Sequence, residues 1–270
     1  MKIHYFGWSG VAIQHGDTLV GVDLFGEAVT WDKVSQSPAI ILCLTHGHPE
    51  HCGSLRRFLL APQARPYLSR THLVSSPPVV AHIQRGGVLP PQQVHSVGEG
   101  DRVIIGGVHI TAFSWRHLPL LPSGLRPSLE YLAHLASRPL DLVRIGLAGL
   151  QLPMNAPMLG FHIRFADGQT VLNYAEGLHR LTDPLEVQNV ARALPAEALL
   201  FAVEPEDVDA LPHWVEVLRP QRVYLYEAHR PWRELFRLPY VDLNDYACQL
   251  SGRFPTIHFQ ALPHPGVWDG

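Results

Sequence analysis

An unbroken apolar run, Ala39–Leu44, leads directly into Thr45-His46-Gly47-His48-Pro49-Glu50-His51. Such a run reads as a buried strand. The residues after it are expected to open a helix that reaches about Ala61, because Leu55, Phe58 and Leu59 recur at helical spacing and Pro62 closes the pattern. Three imidazoles and a carboxylate therefore stand where a rigid strand can aim several side chains at one point. A carboxylate at a helix N-terminus is also favoured by the helix dipole. The chain holds 17 His and 24 Asp plus Glu in 270 residues. At those frequencies about 0.006 chance matches to His-x-His-x-acid-His are expected.

The rest of the chain alternates short strands with helices. Lys2–Phe6, Gly10–His15 and Thr18–Asp23 read as strands, and a helix is expected near Pro78–Gln84. Hairpins are expected around Gly106-Gly107 and around Asp167-Gly168. The last third predicts a helix from Asp183, a strand over Ala198–Val203 and a helix over Glu206–Leu218. It continues with a strand over Arg222–Glu227, a helix near Asp242–Leu250 and a strand over Thr256–Gln260. No repeat and no flexible linker divides the chain, so a single four-layer α/β domain over 1–270 is expected. A Leu/Pro-rich, partly helical insertion at about 118–157 interrupts it, with helical spacing over Ser128–Ser137. The insertion lies between two segments that carry candidate ligands. It reads either as an apolar roof over the site, or as core packing or a subunit interface that would make a homo-oligomer.

Composition narrows the classes. Hydrophobic content of 46% against 17% charged residues argues for a globular chain. A net charge of −3 with no block of like charges leaves no electrostatic footprint for nucleic acid. Cys43, Cys52 and Cys248 are odd in number and lack C-x-x-C spacing, which argues against a disulfide framework or a cysteine zinc knot. With no leader pattern at Met1–Tyr5 and no apolar run of about 18 residues, a cytoplasmic protein without a membrane span is expected.

Thr45-His46-Gly47-His48-x-Glu50-His51-x-Gly53-Ser54 resembles the signature of the metallo-β-lactamase superfamily, usually His-x-His-x-Asp-His. Further elements follow in the family's order: Asp23 after the opening strands, His117 after Phe113–Arg116, Glu176 in Val171–Gly177, and His229 in Val223–His229. The nearest flavour is the branch of ascorbate-phosphate lactonase-like and uncharacterised metal-dependent hydrolases. The resemblance implies an αβ/βα sandwich of two mixed β-sheets with helices outside. It implies a dinuclear centre in which His46, His48 and His117 bind one metal ion and Glu50, His51 and His229 bind the second. Glu176 would bridge the two, and Asp23 would hold the ligand loop by hydrogen bonds. Two divalent ions are implied, with zinc the first choice and manganese or iron the others. Glu stands at positions 50 and 176 where the family usually has Asp.

The chemistry implied is hydrolysis of an ester, lactone or phosphoester in a small-molecule substrate by a metal-activated hydroxide, with Glu50 orienting it or accepting its proton. His179 is the candidate general acid. Substrate-binding residues are unassigned. The alternatives are a phosphodiesterase or nuclease of the same fold, and a non-hydrolytic di-iron redox or metal-binding protein. His109 competes with His117, Glu227 with His229, and Cys52 stands beside His51 as a buried small residue or a further ligand.

Overall fold

Strand β4 (Ala39–Cys43) shows how the layers arise. Its side chains alternate: Ile41 and Cys43 join one apolar cluster, Ile40 and Leu42 another. The period of two thus buries both faces. A computed structural model describes residues 1–24, 31–34, 37–117 and 125–263. The part of the insertion over 118–124, including its Leu118–Pro122 stretch, lies outside the described residues.

The first sheet is ordered β1 (Lys2–Gly7), β2 (Gly10–His15), β3 (Thr18–Val22), β4, β5 (Thr71–Ser75), β6 (Val94–Ser96). β1, β2 and β3 pair antiparallel, then β3 to β6 run parallel. The second sheet comprises β7 (Arg102–Ile105), β8 (Val108–Ser114), β9 (Leu159–Arg164), β10 (Thr170–Asn173), β11 (Ala198–Ala202), β12 (Arg222–Tyr226) and β13 (His258–Ala261), adjacent in that order. It repeats the plan: β7 to β10 antiparallel, β10 to β13 parallel.

Both sheets contribute to one shared core, with Val20, Ile41 and Val74 from the first and Phe161, Leu200 and Tyr226 from the second. Outside the first sheet pack α1 (Trp31–Val34), α2 (Pro49–Cys52), α3 (Leu55–Leu60) and α4 (Pro77–Ile83). α5 (Leu125–Ala136) and α6 (Pro139–Gly149) form the insertion. α7 (Pro184–Ala193), α8 (Leu211–Leu218) and α10 (Leu243–Arg253) cover the second sheet, and α9 (Arg230–Leu235) packs with α5 and α6 in a small separate cluster. The fold is the expected α/β sandwich of two mixed sheets with helices outside.

Three expectations need correction. The helix predicted to run from the ligand motif to Ala61 is two short helices, α2 and α3, separated by a turn at Gly53-Ser54, where glycine is a poor helix former. The helix predicted over Glu206–Leu218 is a 3-10 turn, Pro205–Asp207, followed by α8. The insertion holds a second helix, α6, beyond the one predicted over Ser128–Ser137. Among the described residues no helix is long and apolar enough to cross a membrane.

Candidate metal centre

The candidate residues are delivered by strand ends. Val22 and Cys43 are register partners on parallel strands, so Asp23 and Thr45-His46 leave the first sheet side by side. His117, Glu176 and His229 follow β8, β10 and β12. Ligands in α/β sheets gather beyond the carboxyl ends of the strands in this way. Three non-glycine residues at this end hold positive φ: Trp8 (52°) before Ser9, Asp23 (49°) itself, and Ala175 (48°) before Glu176. Such conformations cost energy and persist where surrounding bonds fix them.

His46, His48 and His117 offer ring nitrogens that all lie within 4.8 Å of one another, and the same holds for ring nitrogens of His46 and His51 with a carboxylate oxygen of Glu176. His46 and His51 are each aimed by a bond at Nδ1. Asp23, fully buried, accepts from Thr45 N (2.8 Å) and Thr45 Oγ1 (2.7 Å), and its Oδ2 lies 2.8 Å from His51 Nδ1. Thr45 Oγ1 is also 2.9 Å from His46 Nδ1. His46 Nε2, His51 Nε2 and Glu176 Oε2 are buried with no hydrogen-bond partner, while Ser9 Oγ donates to Glu176 Oε1. Buried polar atoms are rarely left orphaned. Here they converge, with His51 Nε2 3.7 Å from Glu176 Oε1. Imidazoles anchored at one nitrogen and carboxylate oxygens turned to a common point are a donor set that fits a divalent cation.

The remaining pair of expected ligands faces the same cavity at longer reach. His229 is aimed by Glu204, whose Oε1 lies 2.7 Å from His229 Nδ1, and its ring centroid is 6.5 Å from that of His117. Glu50 Oε1 lies 3.6 Å from His48 Nδ1. Among the described residues neither falls into a 4.8 Å group, so the second set is looser than the first.

Charge follows these contacts. Burial and then the charge of His51 hold His46 well below the usual imidazole range. Burial would lower His51 too, but Glu176 and Asp23 override it and lift it to about 9. His229 is lifted to about 9 against burial by the charge and hydrogen bond of Glu204. Burial would raise Glu50, but its bond to His48 and the charges of His51 and His229 bring it down to about 2.

The competing residues lie elsewhere. His109 contacts Arg164 (3.4 Å) on the far part of the hairpin. Glu227 accepts from Arg230 Nη1 (3.0 Å) and Val241 N (2.9 Å). Cys52 is buried in the core beneath the first sheet. His179 is unsuited to be a general acid: its Nε2–H donates to Arg116 O (3.0 Å) and its Nδ1 accepts from Leu181 N (3.2 Å). It props the backbone that carries His117. Glu204 escaped sequence reasoning. Its only signal is a carboxylate two residues past strand β11, where β10 and β12 also deliver candidate residues.

Above the ligands lies a cavity of about 1050 Å³ whose floor includes His48, Glu50, His117, Glu176 and His229. Residues 145–156 of the insertion line its wall together with Tyr131 and Trp232. The wall touches the floor at Gly47, where a Cβ would stand 2.1 Å from Pro153 O.

No family model matches the sequence, and no curated protein matches it either. Solved structures do. The chain is similar to Igni18, a novel metallo hydrolase from the hyperthermophilic archaeon Ignicoccus hospitalis, at 15% identity and TM-score 0.63, over 98% of this chain and 95% of that one. It is similar to the metallo-β-lactamase fold protein YhfI from Bacillus subtilis at 13% identity and TM-score 0.58, over 99% and 95%. It also resembles CmlA, a diiron β-hydroxylase from Streptomyces venezuelae, at 17% identity and TM-score 0.58, matching 97% of this chain but 52% of that one.

Proposed function

We propose that this chain, which has the metallo-β-lactamase fold, is a dinuclear metal-dependent hydrolase acting on a small-molecule ester, lactone or phosphoester. The observation that carries this reading is the convergence of buried, partnerless His46 Nε2, His51 Nε2 and Glu176 Oε2 beside the His46, His48 and His117 group. His46, His48 and His117 would hold the first ion, Glu50, His51 and His229 would hold the second, and Glu176 would serve both. Zinc suits the imidazole-rich first set best, and the two glutamates also suit manganese or iron. When bound, such ions supply Lewis acidity toward the scissile carbonyl or phosphoryl group and acidify water toward neutral pH.

The protein's own groups do the rest. Asp23 fixes the tautomer of His51 and ties down the Thr45 backbone, so that the ligand loop needs no reorganisation when a substrate arrives. Glu204 does the same for His229, and Arg233 in turn holds Glu204 through Nε (3.0 Å) and Nη2 (2.6 Å). Glu50 faces the cavity, and its carboxylate is the group assigned to orient the nucleophile or accept its proton. The insertion wall narrows the access of bulk water to the floor.

A panel of p-nitrophenyl esters, lactones, bis-p-nitrophenyl phosphate and a β-lactam, assayed before and after chelation and readdition of zinc, tests the reading. Turnover that chelation abolishes and metal restores is expected. Turnover unaffected by chelation, or none on any hydrolysable compound, overturns it. A second reading, an iron-dependent redox centre, is favoured by the glutamates at 50 and 176. It predicts iron in the purified protein and no hydrolysis.

A further inference from the structure

The two ends of the cavity differ in chemistry. Away from the ligands the wall is apolar: Ile145, Leu150, Leu152 and Met154 from the insertion, with Trp232 and Leu238, which pack in one cluster with Ile145. The apolar character continues outward, since Leu150, Met154 and Leu181 line the cavity while 81%, 39% and 55% exposed. A rim of exposed large apolar side chains at the mouth of an apolar cavity marks a binding surface rather than ordinary exterior.

The cations tell the complementary story. Arg180 and Arg233 line the same cavity. Arg180 Nη1 donates to Glu206 O (2.8 Å) and Asp207 Oδ1 (3.3 Å). Arg233 is held by Glu204 (2.6 Å) and by Glu206. Both guanidinium groups are committed to carboxylates, and among the described residues no other Lys or Arg lines the cavity. A site for an anionic phosphoester would spend such groups on the substrate. Paired here with Glu204, Glu206 and Asp207, they are already engaged by the protein's own acids, and the stretch of lining formed by Ile145, Leu150, Leu152 and Met154 is apolar.

We infer that the substrate is a neutral ester or lactone bearing an apolar acyl chain, with its carbonyl at the ligand floor and its chain along the wall formed by Ile145, Leu150 and Met154 toward the rim at Leu181. This rests on the hydrolase reading above and selects among its substrates. The volume of about 1050 Å³ is at the upper end of the range that holds drug-sized ligands, so a chain of eight or more carbons fits with its head group.

Two measurements on the purified protein separate this inference from the hydrolase reading. In the first, kcat/KM is followed from p-nitrophenyl acetate through butyrate to octanoate, with bis-p-nitrophenyl phosphate alongside. A rise approaching about fourfold per methylene is expected from apolar burial, with the phosphodiester slowest. In the second, calorimetric binding of 1-octanol is compared with that of 1-butanol, which requires no turnover. Octanol is expected to bind tighter, and Leu150→Asp or Leu181→Asp to weaken it at least tenfold without lowering Tm. Both sites are exposed, so neither change threatens the fold. Octanol bound but no ester cleaved sinks the hydrolase reading and leaves the chamber assigned. Esters cleaved without regard to chain length, with octanol unbound or the phosphodiester preferred, sinks the inference and leaves the hydrolase reading intact.

Discussion

The floor and the wall of the cavity are built by opposite means. On the floor, Asp23, Thr45, His46, His51 and Glu176 are all buried and cross-tied by short hydrogen bonds over sequence separations of up to 167 residues. The wall rests largely on its own small cluster, Leu135, Phe236 and Leu238 with Tyr131, Ile145 and Trp232, and meets a large core only where Leu152 and Ala156 join it. Its polar ties include Trp232 Nε1 to Tyr131 Oη (3.1 Å) and His134 Nδ1 to Phe236 O (3.1 Å). Several of its leucines face solvent. A floor of this kind fixes chemistry, because low-dielectric hydrogen bonds hold ligand rings in place. A wall of this kind fixes fit, and it can change without disturbing the folded core.

That contrast is broken most severely at the ligands. His48→Ala or His117→Ala is expected to remove metal and about 10³-fold of activity, the worth of several kcal/mol of charge stabilisation, while circular dichroism stays native. Asp23→Ala comes next. It strips the acceptor from Thr45 N and leaves His51 without its buried partner, so a loss of about 3–5 kcal/mol in urea unfolding is expected, together with loss of metal. Glu204→Gln keeps the shape but weakens the hold on His229, and metal affinity should fall about 10- to 100-fold. Gly47→Ala sets the wall against the floor: its Cβ collides with Pro153 O, at a cost of about 1–3 kcal/mol, and KM should move more than metal content. Smallest is Leu150→Asp, within about 0.5 kcal/mol of wild type in stability.

The pH dependence of the metal-free protein sharpens the same comparison. His51 and His229 sit at about 9 in the folded state, above the ordinary imidazole value. Their contribution to stability is fully present below about pH 6.5 and is lost as pH rises through about 9. Glu50 and Glu204, brought down to about 2, contribute stability present above about pH 4.5 and lost as pH falls toward 2. His46, held well below the usual imidazole range by burial, acts the other way and costs stability as pH falls below about 6.5. Metal-free protein should therefore have its Tm maximum at about pH 6.5, with a weaker alkaline fall in a Glu204→Gln variant.

Much of the floor was legible in the sequence because it is local. His46, His48, Glu50 and His51 stand together in the chain, and the resemblance supplied Asp23, His117, Glu176 and His229 from their places after strands. All of these reach the same region of the fold. Glu204 was not legible, since its partnership with His229 is created by the parallel pairing of β11 and β12 and leaves no local pattern. His179 was misjudged for the same reason: its proximity to Glu176 in sequence says nothing of the backbone groups that occupy both its nitrogens. Of the wall, α5 was legible from the helical spacing over Ser128–Ser137, and the rest as composition only. Gly146 and Gly149 weaken the helical signal of α6, and the cavity exists only because a distant helix, α9, closes against it.

The central claim is that the floor is a metal centre and the wall is not part of it. Elemental analysis of the purified wild-type chain beside His117→Ala and Leu150→Asp tests this most directly. About two divalent ions per chain are predicted for the wild type and the same for Leu150→Asp, with a clear loss in His117→Ala. A wild-type chain that binds no metal, or a His117→Ala chain that keeps its full complement, would contradict the account.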